Sequence, residues 1–125
     1  MADNPHAGPV PDSAWEADAE ARKRGRFEIF NATQPGGLDR WTMDAQQYEL
    51  MRSHILAMAE DEADDDGTIL LKDIVATAQD RYGSHPLFPN GRLTNYVRYT
   101  KVDLEARNEV ERVIPSSPQR IRLAD

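Results

Sequence analysis

Cysteine is absent from this 125-residue sequence. Without a thiol, the chain can form neither a disulfide framework nor a zinc-thiolate site, and it has no cysteine nucleophile. The absence is compatible with a reducing cytosol.

Long hydrophobic runs are also missing. Residues 1–18 contain no basic start and no apolar stretch, so they do not resemble a signal peptide, and no segment is long enough to cross a bilayer. We therefore expect a cytoplasmic protein that does not associate with membranes. The length and the hydrophobic content of 39% predict one small domain with a modest core and a disordered arm.

Catalytic and metal-binding motifs are scarce. The three histidines (His6, His54 and His85) are scattered, and the sequence has no serine-centred elbow, paired-histidine motif or glycine-rich nucleotide loop. The acidic run at residues 60–67 lacks the ligand order of a calcium loop and is better interpreted as a solvated loop. We expect no enzymatic activity, no cofactor and no metal site.

Positive charge is low overall but unevenly placed. The net charge of −7 is atypical of a general nucleic-acid binder. Residues 39–89 carry 4 basic and 11 acidic side chains, whereas residues 90–125 carry 7 basic and 5 acidic ones. The C-terminal third therefore holds the relative excess of positive charge that a DNA-binding face requires.

The stretch from Asn90 to Val113 has the clearest periodicity. Asn90 is a candidate N-cap, and an apolar stripe with helical spacing follows it, made by Leu93, Val97, Thr100 and Leu104. Asn108 tolerates the left-handed conformation that ends many helices. The pattern predicts a helix over residues 90–107 that ends at Asn108.

Alternation of apolar and polar residues follows this helix. Val110 and Val113 flank polar residues, residues 120–123 alternate again, and residues 114–119 between them are rich in turn-forming residues. We expect residues 109–123 to form a β-hairpin. The order of helix, tight stop, strand, loop and returning strand is typical of a winged helix-turn-helix.

Residues 104–113 resemble the segment that joins recognition helix and wing in many bacterial winged-helix regulators, which usually carry glycine where this chain has Asn108. Residues 26–123 as a whole resemble a family of small uncharacterised bacterial proteins with a winged-helix appearance. That resemblance implies a fold and no activity. Its landmarks are Asn31, Pro35-Gly36, Asp44-Ala45, Tyr48-Glu49, Met51-Arg52, Leu87-Phe88-Pro89 and residues 103–106.

The preceding chain supplies the rest of an α+β fold with a three-helix core. A first main helix starts at Thr42 or Asp44 and runs to about Glu60. Its buried stripe is Tyr48, Met51, Ile55, Met58 and Ala59. A short strand at residues 68–71 precedes a second helix over residues 72–82, with Gly83 as its stop. Leu87 and Phe88 are expected to fill the core.

Two further segments lie before this core. Residues 1–25 are interpreted as a flexible N-terminal arm with a possible short helix, in which Ser13 caps and Glu16 reaches back. Residues 26–43 are expected to form a small β-hairpin or an extended arm, with Phe27, Ile29 and Trp41 facing inward. The winged-helix domain accordingly spans residues 26–125.

The predicted function is binding of double-stranded DNA in transcriptional control, as a homodimer. Arginine bonds guanine, asparagine bonds adenine, and tyrosine reaches phosphate, so these residue types suit the third helix and the wing. The candidate residues are Arg92, Asn95, Arg98, Tyr99, Lys101, Gln119, Arg120 and Arg122, with Arg107 also flanking the face. The alternative is a protein-protein interaction module that uses the same fold and an apolar patch of Tyr96, Tyr99 and Val102.

Overall fold

The computed structural model of the protein describes residues 6–124. In this part of the chain the fold is α+β, with four α-helices and two small antiparallel sheets. No helix among these residues has the length and apolar character needed to cross a membrane. The elements in chain order are α1 (Asp12–Lys23), β1 (Arg26–Phe30), β2 (Leu38–Asp44), α2 (Ala45–Asp61), β3 (Ile69–Leu70), α3 (Leu71–Tyr82), α4 (Thr94–Ala106), β4 (Val110–Arg112) and β5 (Arg120–Leu123).

The main core forms between α2, α3 and α4. Asp44 caps α2, since its carboxylate accepts the backbone N–H groups of Gln46 at 3.0 Å and Gln47 at 3.2 Å. The predicted apolar stripe of α2 is buried along its whole length, and Phe88 fills the space beside it. These two expectations are confirmed.

Helix α4 buries the predicted stripe, because Leu93, Val97, Thr100 and Leu104 are all inaccessible to solvent. Asn108 follows the helix with a φ of 64°, the left-handed conformation expected of a stop. The predicted start at Asn90 is wrong, since α4 begins at Thr94. The Gln79 side-chain oxygen from α3 accepts the Leu93 N–H at 3.0 Å and takes the place of a local cap.

The C-terminal strands pair as antiparallel neighbours. Val110 lies opposite Leu123 and Arg112 opposite Ile121, so the segment joining β4 to β5 turns back on itself. Strand β3 pairs with the other edge of β5, with Ile69 opposite Ile121, and the sheet order is β3-β5-β4. Val110, Ile121 and Ile69 close the core below α2 and α4.

The expected N-terminal hairpin is present as β1 and β2. Phe27 lies opposite Met43, and both are buried with Ile29 against Tyr48 of α2. Trp41 packs against the same cluster and is half-buried.

The short helix expected within residues 1–25 is present as α1, and it packs on this hairpin, which differs from a flexible arm. Ala14 and Ala21 are buried, and Trp15 meets Phe30 edge-on at 4.8 Å between ring centroids although 45% of its surface is exposed. The helix starts at Asp12, and Ser13 does not cap it. Upstream, the Gly8 N–H donates to the Ala106 carbonyl at 3.1 Å. Residues 1–5 of the expected arm lie outside the described residues.

Candidate functional site

The C-terminal half of α4 is held by a buried polar network around Asp103, whose exposure is 0%. Its carboxylate accepts the Phe30 N–H at 2.8 Å, Nε of Arg107 at 2.9 Å and the Tyr48 hydroxyl. Burial raises the pKa of the Asp103 carboxyl, and the Arg107 guanidinium opposes that rise. Donors from β1, from α2 and from the residue that follows α4 therefore converge on one carboxylate, which fixes how α4 lies against the other elements.

Arg107 extends the network to the N-terminal helix. Its guanidinium donates to Asp18 of α1 at 3.3 Å and to the Glu28 carbonyl of β1 at 3.2 Å, and it lies 4.0 Å from the centre of the Phe30 ring. Arg107 was expected to flank an exposed helix face. Its side chain is instead enclosed, with 7% of its surface exposed, and it pairs with Asp18 and Asp103.

Lys101 also lies away from the face that the sequence suggested. Its ammonium is 2.5 Å from the Glu105 carboxylate, and both side chains are buried. Burial lowers the pKa of the Lys101 amine, while the adjacent Glu105 charge opposes the shift. A paired and buried ammonium is not available to phosphate, so we correct the expectation that Lys101 belongs to the binding face.

The N-terminal half of α4 has the opposite character. Thr94, Asn95, Arg98 and Tyr99 are exposed, and exposed Arg92 lies just before the helix. In the described part of the chain, neither Arg92 nor Arg98 forms an ion pair or a side-chain hydrogen bond. These two guanidiniums remain free to meet an external anion.

Two cavities flank this exposed half-helix. The first has a volume of 530 Å³ and is lined by Trp41, Gln79, Asn90, Arg92, Thr94, Asn95, Tyr96 and Tyr99. The second, of 480 Å³, lies where α3, α4 and the β4–β5 connection meet, and its polar lining residues are Lys72, Gln79, Thr94, Arg98 and Gln119. The first two turns of α4 thus form a ridge between two recesses.

Trp41 is the site residue whose position the sequence did not reveal. It packs against the buried cluster of the hairpin, as expected, and its ring also meets exposed Tyr99 edge-on, with centroids 5.0 Å apart. Tyr96 turns toward the core and packs edge-on against Phe88 at 4.9 Å. Of the expected group of Tyr96, Tyr99 and Val102, Tyr99 is exposed and the other two are half-buried, and Trp41 adjoins Tyr99.

Both arginines of strand β5 are paired with carboxylates. Arg120 lies 2.6 Å from Asp64 in the acidic loop, and Arg122 lies 2.9 Å from Glu111 on the neighbouring strand. These pairs reduce the positive charge that the sequence suggested for this hairpin. Lys72 at the start of α3 is exposed beside the second cavity and adds a cation that the sequence analysis did not select.

The histidines occupy structural positions. His54 is buried and its Nε2 donates to the Ile74 carbonyl at 3.0 Å, which is the interpretation favoured for a histidine among apolar neighbours. Nδ1 of His85 accepts the Leu87 N–H at 3.1 Å. Within residues 6–124, no three histidine or carboxylate side chains are grouped so that they could hold a metal ion.

Comparison with protein-family models identifies a match. The model of a family of unknown function (DUF6958) matches residues 26–121 of the chain. Searches of curated proteins and of solved structures found no match.

Proposed function

The chain belongs to this family of unknown function, and from its geometry we propose that it is a winged helix-turn-helix protein that binds double-stranded DNA in transcriptional control. In this proposal the N-terminal half of α4 enters the major groove. The observation that carries the proposal is the exposed row of Arg92, Asn95 and Arg98, in which both guanidiniums lack a partner among the described residues.

The arrangement of the C-terminal elements supports the fold assignment. From α2 onward the order is helix, strand, helix, helix, strand, strand, and the three strands form one antiparallel sheet. This is the order of a three-helix core followed by a β-hairpin wing, with α3 and α4 as the helix-turn-helix pair. The connection between these two helices, residues 83–93, is longer than a minimal turn.

The side chains on the ridge match the chemistry of groove recognition. Arginine can donate two hydrogen bonds to guanine, and asparagine can bond both edge atoms of adenine. Lys72 and Gln119 border the second cavity and are placed to meet the phosphates on one side of the ridge. Two copies of the chain would present two such helices to a pair of half-sites, so the proposal includes a homodimer.

The acidic composition does not conflict with this assignment, because only the field at the binding face has to attract phosphate. Several carboxylates near the C-terminal sheet are already neutralised within the chain: Asp64 by Arg120, Glu111 by Arg122 and Glu109 by Arg52. Arg98 and Arg92 keep their charge available.

A salt titration of duplex binding tests the proposal. The affinity of the protein for fluorescent duplexes enriched from a random pool is measured by anisotropy. We expect it to fall as salt rises, because bound phosphates release counterions. Arg98→Gln should cost about 1–3 kcal/mol if Arg98 contacts a guanine edge. Arg81→Gln is the matched control, since Arg81 is an exposed arginine of α3 that lines neither cavity.

Two outcomes would reject the proposal. One is the absence of detectable binding to any duplex at low salt. The other is an equal loss of affinity in Arg98→Gln and Arg81→Gln, which would trace the binding to net charge alone.

The contact of exposed Tyr99 with half-buried Trp41 favours a second candidate, a protein-interaction module on the same fold. Separate replacement of neighbouring residues distinguishes the two functions. Loss of duplex affinity in Arg98→Ala supports DNA binding. A protein partner that is lost with Tyr99→Ala and retained with Arg98→Ala supports the module.

A further inference from the structure

The 530 Å³ cavity between strand β2 and the start of α4 has the size of a small-molecule site. Trp41 forms one wall, Tyr99 and Tyr96 come from α4, and Arg92 and two asparagines come from the turn before α4 and its first turn. Cavities of this kind bind ligands through apolar contact with a few polar groups that set orientation.

Flat apolar surface and one free cation dominate the lining. The Trp41 and Tyr99 rings meet at an interplanar angle of 72°, which leaves ring surface of both residues at the cavity. Arg92 has no ion-pair partner among residues 6–124. Neither Asn90 nor Asn95 forms a side-chain hydrogen bond within the same residues, so both amides are available to a ligand.

The cavity is held in shape by contacts that do not involve these groups. The Gln79 side chain donates to the Gly91 carbonyl and accepts the Leu93 N–H, which fixes the turn that carries Arg92. Trp41 is anchored in the β1–β2 hairpin, where its neighbour Thr42 pairs with Glu28. A preformed wall lowers the ordering cost of binding.

We propose that this cavity binds a small planar aromatic acid. The ring of the ligand packs against Trp41 and Tyr99, and its carboxylate pairs with the Arg92 guanidinium in the bidentate geometry that arginine prefers. The Asn90 and Asn95 amides bond polar substituents on the ring or the second lone pairs of the carboxylate.

Occupancy of the cavity also bears on the DNA-contact ridge, because Arg92 and Asn95 belong to both. A ligand and a duplex that use the same two side chains weaken each other reciprocally. This coupling rests on the proposed DNA binding, whereas the ligand site itself does not.

A single-tryptophan variant provides a local readout. The chain has two tryptophans, and in Trp15→Phe the one remaining indole N–H resonance in a proton–nitrogen spectrum belongs to Trp41. The probe is naphthalene-2-carboxylate. We expect a saturable shift of that resonance, a loss of affinity of roughly tenfold or more in Arg92→Gln, and little change in Arg98→Gln, whose arginine lines the other cavity.

Two matched ligands separate the contributions of ring and charge. Naphthalene-2-carboxamide keeps the ring without the anion, and decalin-2-carboxylate keeps the anion without the flat ring; both should bind more weakly than the aromatic acid. The proposal is overturned if the Trp41 resonance does not move, if either analogue binds as tightly, or if Arg98→Gln weakens binding as much as Arg92→Gln.

Comparison of this acid titration with the duplex titration separates the inference from the proposed function. Binding of the acid without binding of a duplex supports the ligand site and rejects the proposed DNA binding. Binding of a duplex without binding of the acid supports DNA binding and rejects the ligand site.

Discussion

Replacement of Tyr48 by phenylalanine probes the network that orients α4. The Tyr48 hydroxyl donates to Asp103, whose carboxylate has no exposed surface and receives two further donors, the Phe30 N–H and Arg107. Burial, together with the adjacent Asp103 charge, raises the pKa of the Tyr48 phenol, so the hydroxyl remains protonated and acts as a donor. Tyr48→Phe removes this donor and leaves the ring in place.

The size of the expected loss of stability follows from the charge and burial of the Asp103 carboxylate. A hydrogen bond to a charged group contributes about 1.5–3 kcal/mol, and water cannot replace the missing donor at a carboxylate this enclosed. For a domain of this length, about 1 kcal/mol corresponds to roughly 4 °C in midpoint, so we expect Tm to fall by about 6–12 °C. Urea unfolding followed by circular dichroism measures the free energy of unfolding directly.

Tyr96→Phe is the matched control for this experiment. It makes the same chemical change on α4, at a hydroxyl that forms no hydrogen bond within the described residues. Its effect should stay within about 0.5 kcal/mol. The reasoning is refuted if Tyr48→Phe also changes the free energy of unfolding by less than about 0.5 kcal/mol, or if both variants lose the same amount of stability.

Two further predictions concern His54 and the residue that ends α4. Burial lowers the pKa of His54, so the neutral ring is favoured in the folded state; stability should be complete above about pH 6.5 and fall as pH drops through the folded pKa. In urea titrations, the stability of His54→Gln should fall less over this pH range than that of the original protein. If both show the same pH profile, His54 is not the group responsible. At Asn108, with a φ of 64°, alanine should cost about 1 kcal/mol and glycine should cost nothing or stabilise. Equal midpoints of the alanine and glycine variants would count against a conformational role.

The parts of the fold that sequence predicted well depend on local spacing. Leu93, Val97 and Leu104 recur at helical intervals, and all three are buried as a single stripe. Asn108 could be identified as a stop because its tolerance of positive φ is a property of the residue itself. Asp44, one of the two starts considered for α2, caps the helix through its own side-chain oxygen, which is likewise a local property.

The errors arise where a distant residue takes the role of a local one. Asn90 has the right side chain for a cap, but Gln79 from another helix supplies the acceptor and α4 starts later. Lys101 was placed on the surface because its charge usually keeps it there, whereas Glu105 and the N-terminal segment enclose it. Gln79 and His6, whose ring lies 3.6 Å from Glu105, cannot be selected from periodicity along α4, whereas the four-residue spacing of Lys101 and Glu105 could have been.

The site itself was only partly visible in the sequence. Arg92, Asn95 and Arg98 were chosen from helical geometry and are exposed. Trp41 lies more than fifty positions before α4 in the chain and reaches Tyr99 only through the folding of the hairpin. No spacing rule joins those two rings.

The contact between Asp18 and Arg107 bears on how this protein should be divided for experiments. The two residues are 89 positions apart, and the family match begins only at residue 26, after Asp18. A fragment trimmed to the matched region would remove one anion from an enclosed guanidinium and uncover the face of β1 that α1 covers. The region that the family model matches is therefore shorter than the region that packs together. Fragments for expression should follow the packed region and include α1.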